Sequence, residues 1–159
     1  MAAPSWDDSQ GINVRDLDGQ HRMLATLIRD LHDVMRYARS PETISGVFDE
    51  VVEYTKYHFA AEERLMRDTD FPGYLLHKAI HDNMKSRLVE LRDRFERGGR
   101  PAISVAVFQF LRDWLVSHIE VDDQEIAEHL LNAGAPCTPP GSSLAGAPAP
   151  RSASSRSVH

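Results

Sequence analysis

The sequence predicts an all-α protein whose four helices form an up-down-up-down bundle. Apolar residues recur at spacings of three and four through four long segments, which is the periodicity of a helix with one buried face. Short segments containing proline or glycine separate these helices, so that consecutive helices are expected to pack antiparallel. No segment shows the alternating pattern of a half-buried strand, and the sequence has no repeat of fixed period.

Composition divides the chain into an N-terminal arm over residues 1–15, the bundle over residues 16–133 and a tail over residues 134–159. The arm is polar, and its aromatic residue Trp6 is expected to pack against the helices because a large ring gains free energy on burial. The tail is rich in proline, alanine and serine and has no acidic residue. We expect it to be disordered, since such a composition cannot build a core.

Net charge, cysteine content and the lack of long apolar segments limit the partners and the location that we expect for the protein. The 159 residues carry a formal net charge of -6 at pH 7, which disfavours nucleic acid and anionic membranes as main partners. The one cysteine, Cys137, allows no disulfide within the chain. Neither a signal-peptide pattern nor a run of about 20 apolar residues is present, so no membrane insertion is expected. We expect a cytoplasmic protein and a monomer.

The first two helices can be placed from their caps and apolar faces. The first is expected from about residue 18 to residue 38, with Asp16 or Asp18 as its cap. The second is expected to start at Ser40 and Pro41, a capping hydroxyl followed by proline in the first helical position, and to end near residue 67. Glu63 is assigned to its outer face. The predicted inward residues are His21, Leu24, Ile28 and Leu31, then Ile44, Phe48, Val51, Thr55, His58, Glu62 and Leu65.

Proline and glycine also delimit the third and fourth helices. Pro72 is expected to open the third helix, which should end near residue 97, before Gly98 and Gly99. Pro101 is expected to open the fourth, which should end near residues 132–134. The predicted inward residues are His77, Ile80, His81, Met84, Leu88, Leu91 and Phe95, then Val105, Phe108, Leu111, Leu115 and His118.

Histidines and carboxylates lie on the predicted inward face of each helix. Residues four apart share one helical face, so each such pair can bind one ion. A buried imidazole or carboxylate is costly unless it is paired or coordinated, so these residues together predict one shared metal site. The candidates are His21, the pair His58 and Glu62, the pair His77 and His81, and His118 with Asp122 or Asp123.

Seven protein ligands are too many for one four-coordinate zinc ion. They suit two metal ions with five or six ligands each and bridging carboxylates, and imidazole with carboxylate favours iron. The spacing in the fourth helix leaves two aspartates open. Asp122 faces the same way as His118, whereas Asp123 can do so only if the helix widens or bends locally. Spacing by itself favours Asp122.

Four motifs carry a family resemblance. They are Leu17-Asp18-Gly19-Gln20-His21, His58-Phe59-Ala60-Ala61-Glu62-Glu63, Phe71-Pro72-Gly73-Tyr74-Leu75-Leu76-His77-Lys78-Ala79-Ile80-His81, and Phe110-Leu111-Arg112-Asp113-Trp114-Leu115-Val116-Ser117-His118-Ile119-Glu120-Val121-Asp122-Asp123. On these motifs the sequence resembles the bacterial hemerythrins over about residues 6–131. All seven ligand positions carry the residue type that the family uses, and the resemblance implies Asp123 as the aspartate ligand.

The resemblance also implies how the ligands divide between two iron ions. One iron is expected to take three imidazoles and the other two, while both carboxylates and an oxo or hydroxo group bridge them. The first iron would take His77, His81 and His118, and the second would take His21 and His58. Glu62 and Asp123 would bridge the two. The second iron keeps an open position for dioxygen. An apolar pocket is expected around it, with the candidates Leu24, Phe59, Met66, Met84, Trp114 and Ile119.

The resemblance therefore implies reversible dioxygen binding at a non-heme di-iron centre rather than enzymatic activity. Five imidazoles and only two carboxylates agree with this role, because di-iron oxygenases and ferritin-like proteins use more carboxylates, in paired Glu-x-x-His motifs that this chain lacks. The bound gas could serve storage, delivery to an oxygen-consuming enzyme, or sensing. The alternatives are a di-iron oxidoreductase that acts on peroxide or nitric oxide, and a protein for iron storage or detoxification.

Overall fold

The computed structural model describes residues 14–37, 40–98 and 100–134, with the side chains of residues 100–106 left out. Most of the predicted arm, including Trp6, lies outside the described residues. So does the predicted tail from residue 135 onward, and the side chain of Val105. The predictions for these parts stay predictions.

Four helical rods make up the described part of the chain, and no strand occurs there. The first three are α1 (Arg15–Arg36), α2 (Pro41–Asp68) and α3 (Tyr74–Glu96), and the fourth consists of α4 (Arg100–Ser117), a π-helix (His118–Asp122) and α5 (Asp123–Asn132). Helix α1 packs against α2 and α4, and α3 packs against α2 and α4. The rods thus close a ring, and the predicted four-helix bundle is confirmed.

The second helix starts where the sequence predicts it. The backbone N–H of Thr43 donates to Ser40 Oγ over 3.3 Å, and Pro41 takes the first helical position, where no N–H is needed. The end of the third helix is also as predicted. Gly98 follows it with φ of 99°, a conformation that a residue with a Cβ adopts only under strain.

Two helix starts differ from the prediction by more than one residue. Helix α1 begins at Arg15, and its N-cap is Val14, whose side chain cannot cap. Asp16 and Asp18 instead lie within the first turn, where a carboxylate interacts favourably with the helix dipole. Helix α3 begins at Tyr74 rather than at Pro72, because residues 71–73 form the turn that joins it to α2.

The core of the bundle surrounds a polar centre. Leucine, isoleucine and phenylalanine side chains from the four rods fill the interior, and among them lie buried imidazoles and carboxylates. The largest fully buried side chains are Phe48, Phe59, Leu24, Ile28, Leu31, Met66, Leu111, Ile126, His21, His58, His81 and His118. In the described ranges, no helix combines the length and the apolar character that crossing a lipid bilayer requires.

Candidate metal centre

Helix α2 provides a histidine and a carboxylate one turn apart. His58 and Glu62 are both buried, and His58 Nε2 lies 3.0 Å from Glu62 Oε1. The regular α-helix accounts for this placement, because residues four apart point in the same direction. On the neighbouring helix α1, His21 is also fully buried, and its Nε2 lies 3.4 Å from the same oxygen.

Helix α3 provides two more imidazoles. His77 and His81 are buried one turn apart, with ring centroids 4.5 Å from each other and rings at right angles. The Nε2 atom of His81 lies 3.0 Å from Glu62 Oε2, and that of His77 lies 3.7 Å from it. The two predicted pairs, one on each helix, therefore meet at one glutamate.

The fourth rod reaches the same point through a π-helix. The backbone N–H of Asp123 donates to the carbonyl of His118, five residues earlier, so the helix is one residue wider there. Asp123 is consequently turned inward and fully buried, with Oδ1 3.1 Å from His118 Nε2. Asp122, whose side chain is 29% exposed, contacts the opposite nitrogen, His118 Nδ1, at 3.0 Å.

Each carboxylate in the centre faces two groups of imidazoles. The three-imidazole side comprises His77, His81 and His118 and the carboxylate oxygens that face them. The two-imidazole side comprises His21 and His58 and the carboxylate oxygens that face these two. Glu62 directs Oε2 to the first side and Oε1 to the second. Asp123 does the same, with Oδ1 3.4 Å from His77 Nε2 and Oδ2 3.1 Å from His21 Nε2.

The spacing of the donor atoms is better suited to binding metal ions than to forming hydrogen bonds with one another. Ligand atoms of Glu62, His77, His81 and His118 lie within 4.8 Å of one another, and so do those of His21, His58, Glu62 and Asp123. The carboxylate oxygens of Glu62 and Asp123 and the Nε2 atoms of His58 and His77 are buried and lie near one another, but no well-directed hydrogen bond joins them. Buried polar atoms are costly in that state, and a cation in each group removes the cost.

Protonation of the metal-free centre follows from the same contacts. Burial lowers the pKa of His21, His77 and His118, but the facing carboxylates Asp123 and Glu62 outweigh it and raise the values to about 9, 9 and 10. At His118, Asp122 adds to this effect. For His58, burial prevails and lowers the pKa. Metal binding must therefore displace protons from the imidazoles that hold them.

Three further residues contact the outer nitrogens of the histidines. Nδ1 of His58 lies 3.0 Å from Gln20 Oε1, and Nδ1 of His81 lies 3.2 Å from Glu63 Oε1. The third is Asp122. The assignment of Glu63 to the outer face is wrong, since it is only 9% exposed. The signal was present in the sequence: Glu63 follows Phe59 by one turn, and Phe59 is fully buried.

Aromatic rings pack directly against the imidazoles. Phe59 stacks on His81 with centroids 3.8 Å apart, and Trp114 lies at a small angle to His118 with centroids 6.1 Å apart. Of the predicted pocket residues, five are buried and Met84 is partly exposed; the buried five are Leu24, Phe59, Met66, Trp114 and Ile119. The centre thus lies in largely apolar surroundings.

Fold and centre together define a class of protein, a four-helix bundle that can hold two neighbouring metal ions in its core. The model of a family described as the hemerythrin HHE cation binding domain matches residues 13–130. This match covers most of the chain, and the chain belongs to the hemerythrin family.

Individual relatives agree with this assignment. A bacteriohemerythrin of Stenotrophomonas maltophilia (strain R551-3) is 36% identical over 130 residues, which cover 82% of this chain and 83% of that protein. The myohemerythrin of Sipunculus nudus is 28% identical over 118 residues, 74% of this chain and 86% of that protein. The crystal structure of a wild-type hemerythrin is similar with a TM-score of 0.74 and 28% identity, covering 81% of this chain and 98% of that chain. The family binds dioxygen at a di-iron centre.

Proposed function

We propose that this chain binds dioxygen reversibly at two iron ions. The proposed ligands are His21, His58, Glu62, His77, His81, His118 and Asp123. The main support is the orientation of the two carboxylates, because Glu62 and Asp123 each direct one oxygen to either side. A carboxylate in that position can bridge two ions, whereas a site for one ion needs no such arrangement.

The two sides differ by one ligand. The three-imidazole side offers three ring nitrogens and one oxygen from each carboxylate, and the two-imidazole side offers two ring nitrogens and the same number of oxygens. An ion held by His21 and His58 would have one protein ligand fewer, and this would leave it a position for dioxygen. When bound, the iron pair supplies the electrons that this binding requires.

The ligand set favours release of the gas over its reduction. Five neutral imidazoles and two carboxylates place little negative charge on the ions, and high oxidation states of iron need more. Apolar side chains around the centre exclude water, which protects reduced iron from oxidation. We assign this role to Leu24, Phe59, Met66, Met84, Trp114 and Ile119. The cytoplasmic location and the monomeric state remain predictions from the sequence.

A spectroscopic experiment tests the proposed function. The iron-loaded chain is reduced under argon, exposed to air, returned to argon and exposed to air again, while its visible absorption and iron content are recorded. We expect about two iron ions per chain and a band that appears in air, disappears under argon and returns. Irreversible bleaching accompanied by turnover of added peroxide would support the oxidoreductase instead. One zinc ion per chain would contradict both.

A further inference from the structure

The imidazoles of the three-imidazole side are backed by carboxylates. Nδ1 of His81 lies 3.2 Å from Glu63 Oε1, and Nδ1 of His118 lies 3.0 Å from Asp122 Oδ2. In both histidines Nε2 faces the centre, so Nδ1 carries the hydrogen and donates it to the carboxylate. Such contacts fix the tautomer and the rotation of the ring.

On the two-imidazole side, the outer nitrogen of His58 contacts a neutral group. Nδ1 of His58 lies 3.0 Å from the side-chain oxygen of Gln20, which is a neutral amide and is buried. The amide orients the ring as a carboxylate does, but it attracts the proton of Nδ1 less strongly. For these three histidines the outer contacts therefore differ in charge: carboxylates contact His81 and His118, and a neutral amide contacts His58.

A carboxylate partner changes the strength of a histidine as a metal ligand and, through it, the reduction potential of the ion. An imidazole that donates Nδ1–H to a carboxylate becomes more electron-rich and a stronger ligand at Nε2. Stronger donation stabilises the ferric form more than the ferrous form, because the ferric ion carries the higher charge. An iron ion held by His81 and His118 would then be harder to reduce than it would be without these two carboxylates.

We infer that Glu63 and Asp122 are positioning residues that strengthen His81 and His118 and thereby give the two iron ions unequal reduction potentials. The ion of the three-imidazole side has the lower potential. The inference rests on the proposed function, since it requires that both ions bind. It assigns roles to two acidic residues that touch neither the metal ions nor dioxygen.

Lys85 allows a test of the direction in which Glu63 shifts the reduction potential. Its Nζ lies 3.8 Å from Glu63 Oε1 and 2.7 Å from Asp82 Oδ1, and the side chain is partly exposed. A positive charge beside Glu63 weakens the pull of that carboxylate on the hydrogen of His81 Nδ1. Removal of the lysine charge must therefore act opposite to removal of the glutamate charge.

The experiment compares variants of the full, iron-loaded chain. Reduction potentials come from redox titration followed by visible absorption, and Mössbauer spectra report the two ions separately. Glu63→Gln and Asp122→Asn remove the carboxylates at nearly constant shape, and Gln20→Glu adds one on the other side. Glu53→Gln is the control for net charge, because Glu53 lies on the surface of α2 and pairs with Lys56 there.

We expect Glu63→Gln and Asp122→Asn to raise the potential, to change one of the two iron signals and to weaken iron binding about ten- to one-hundredfold. Gln20→Glu is expected to lower the potential and to change the other signal. Lys85→Gln is expected to produce a small shift to lower potential. Glu53→Gln should match the wild type in all three measurements.

Several outcomes overturn the inference. One is a potential in Glu63→Gln and Asp122→Asn equal to that of Glu53→Gln; another is an equal change of both iron signals. A shift of the same sign in Lys85→Gln and Glu63→Gln contradicts the electrostatic explanation. If Glu63→Gln or Asp122→Asn fails to bind iron, the other of the two variants decides the question, because the two carboxylates contact different histidines. Fewer than two iron ions in the wild type contradict the proposed function itself.

Discussion

Helix α2 and the fourth rod each contribute one histidine and one proposed bridging carboxylate, but their backbones differ. In α2 the two residues are four apart, His58 and Glu62, and the helix is regular. In the fourth rod they are five apart, His118 and Asp123, and a π-helix lies between them. Both carboxylates are nevertheless fully buried and face both groups of imidazoles.

The difference shows that the position of the carboxylate matters more than the regularity of the helix. A π-helix gives up the more favourable hydrogen-bond pattern of the α-helix for one turn and is often found at functional sites. Here it places Asp123 in the centre, and Asp122 comes to lie beside the outer nitrogen of His118. The extra residue thus provides two useful carboxylates instead of one.

The largest effects are expected from the two bridging carboxylates themselves. Glu62→Gln and Asp123→Asn each remove one bridging oxygen, and we expect each variant to lose the di-iron spectrum and to bind about one iron ion or none. Their thermal stability should fall to that of the metal-free wild type. Iron analysis and thermal unfolding measure both effects.

The residues next to them provide matched controls. Glu63→Gln and Asp122→Asn change the same side-chain types one position away, and they should keep about two iron ions at reduced affinity. If Asp122→Asn loses the di-iron spectrum while Asp123→Asn keeps it, the assignment of the fourth rod is wrong and the regular spacing is the correct guide.

A large effect of pH is also expected, with opposite sign in the two forms of the protein. In the metal-free chain, the pKa values of His21, His77 and His118 are raised to about 9, 9 and 10. Their contribution to stability is complete below the unfolded pKa of about 6.5 and is lost as the pH rises through 9 to 10. Iron binding needs deprotonated nitrogens, so iron affinity should fall as the pH is lowered.

Urea unfolding at pH 7 and pH 10, without metal, measures the first effect, and iron retention between pH 8 and pH 5 measures the second. The double variant Glu62→Gln with Asp123→Asn is the control, since it lacks the two central carboxylates that raise the pKa values of His21 and His77; Asp122 still acts on His118. Equal pH dependence in the wild type and this variant would show that Glu62 and Asp123 do not set the protonation of the imidazoles.

A moderate effect is expected from the contact that ties α5 to the end of α2. His129 Nε2 donates to the carbonyl of Thr69 over 2.7 Å and holds the fourth rod against the turn before α3. We expect His129→Ala to lower the free energy of unfolding by about 1 kcal/mol and to leave the iron count unchanged. Glu128→Ala, a neighbouring exposed position, is the control, and urea unfolding is the measurement.

The smallest effect is expected when the π-helix is converted into an α-helix. Val121 is 59% exposed, and its deletion brings Asp123 to the spacing that Glu62 has in α2. We expect this deletion to keep about two iron ions, because a π-turn accommodates one extra residue and the rest of α5 can keep its packing. Val121→Ala should behave as the wild type.

The corresponding deletion in the regular helix completes the comparison. Removal of Ala61 from α2 rotates Glu62 away from His58 by about 100°. That variant should lose iron. Equal iron loss in the two deletion variants would show that the π-helix is required for the centre and is not merely one way of accommodating an extra residue.

The sequence predicted most of the fold because its signals are local. The hydroxyl and proline at Ser40 and Pro41, the glycine after α3 and the apolar spacing along each segment act within a few residues. Errors arose where a local signal competes with packing. Asp16 and Asp18 are both suited to cap a helix, but the helix begins earlier, at Arg15, and includes the buried Leu17 in its first turn.

By itself, then, the sequence determined four amphipathic helices and the residue types of a metal centre, since period and ligand chemistry depend on short stretches of chain. Only the tertiary structure decided which side chains meet. Spacing favoured Asp122 and placed Glu63 outside. Packing of the fourth rod against α1 and α3 turned Asp123 inward, and packing of α2 against α3 left Glu63 beside His81. The physical reason is that helix rotation and local widening are set by the neighbours that bury each face.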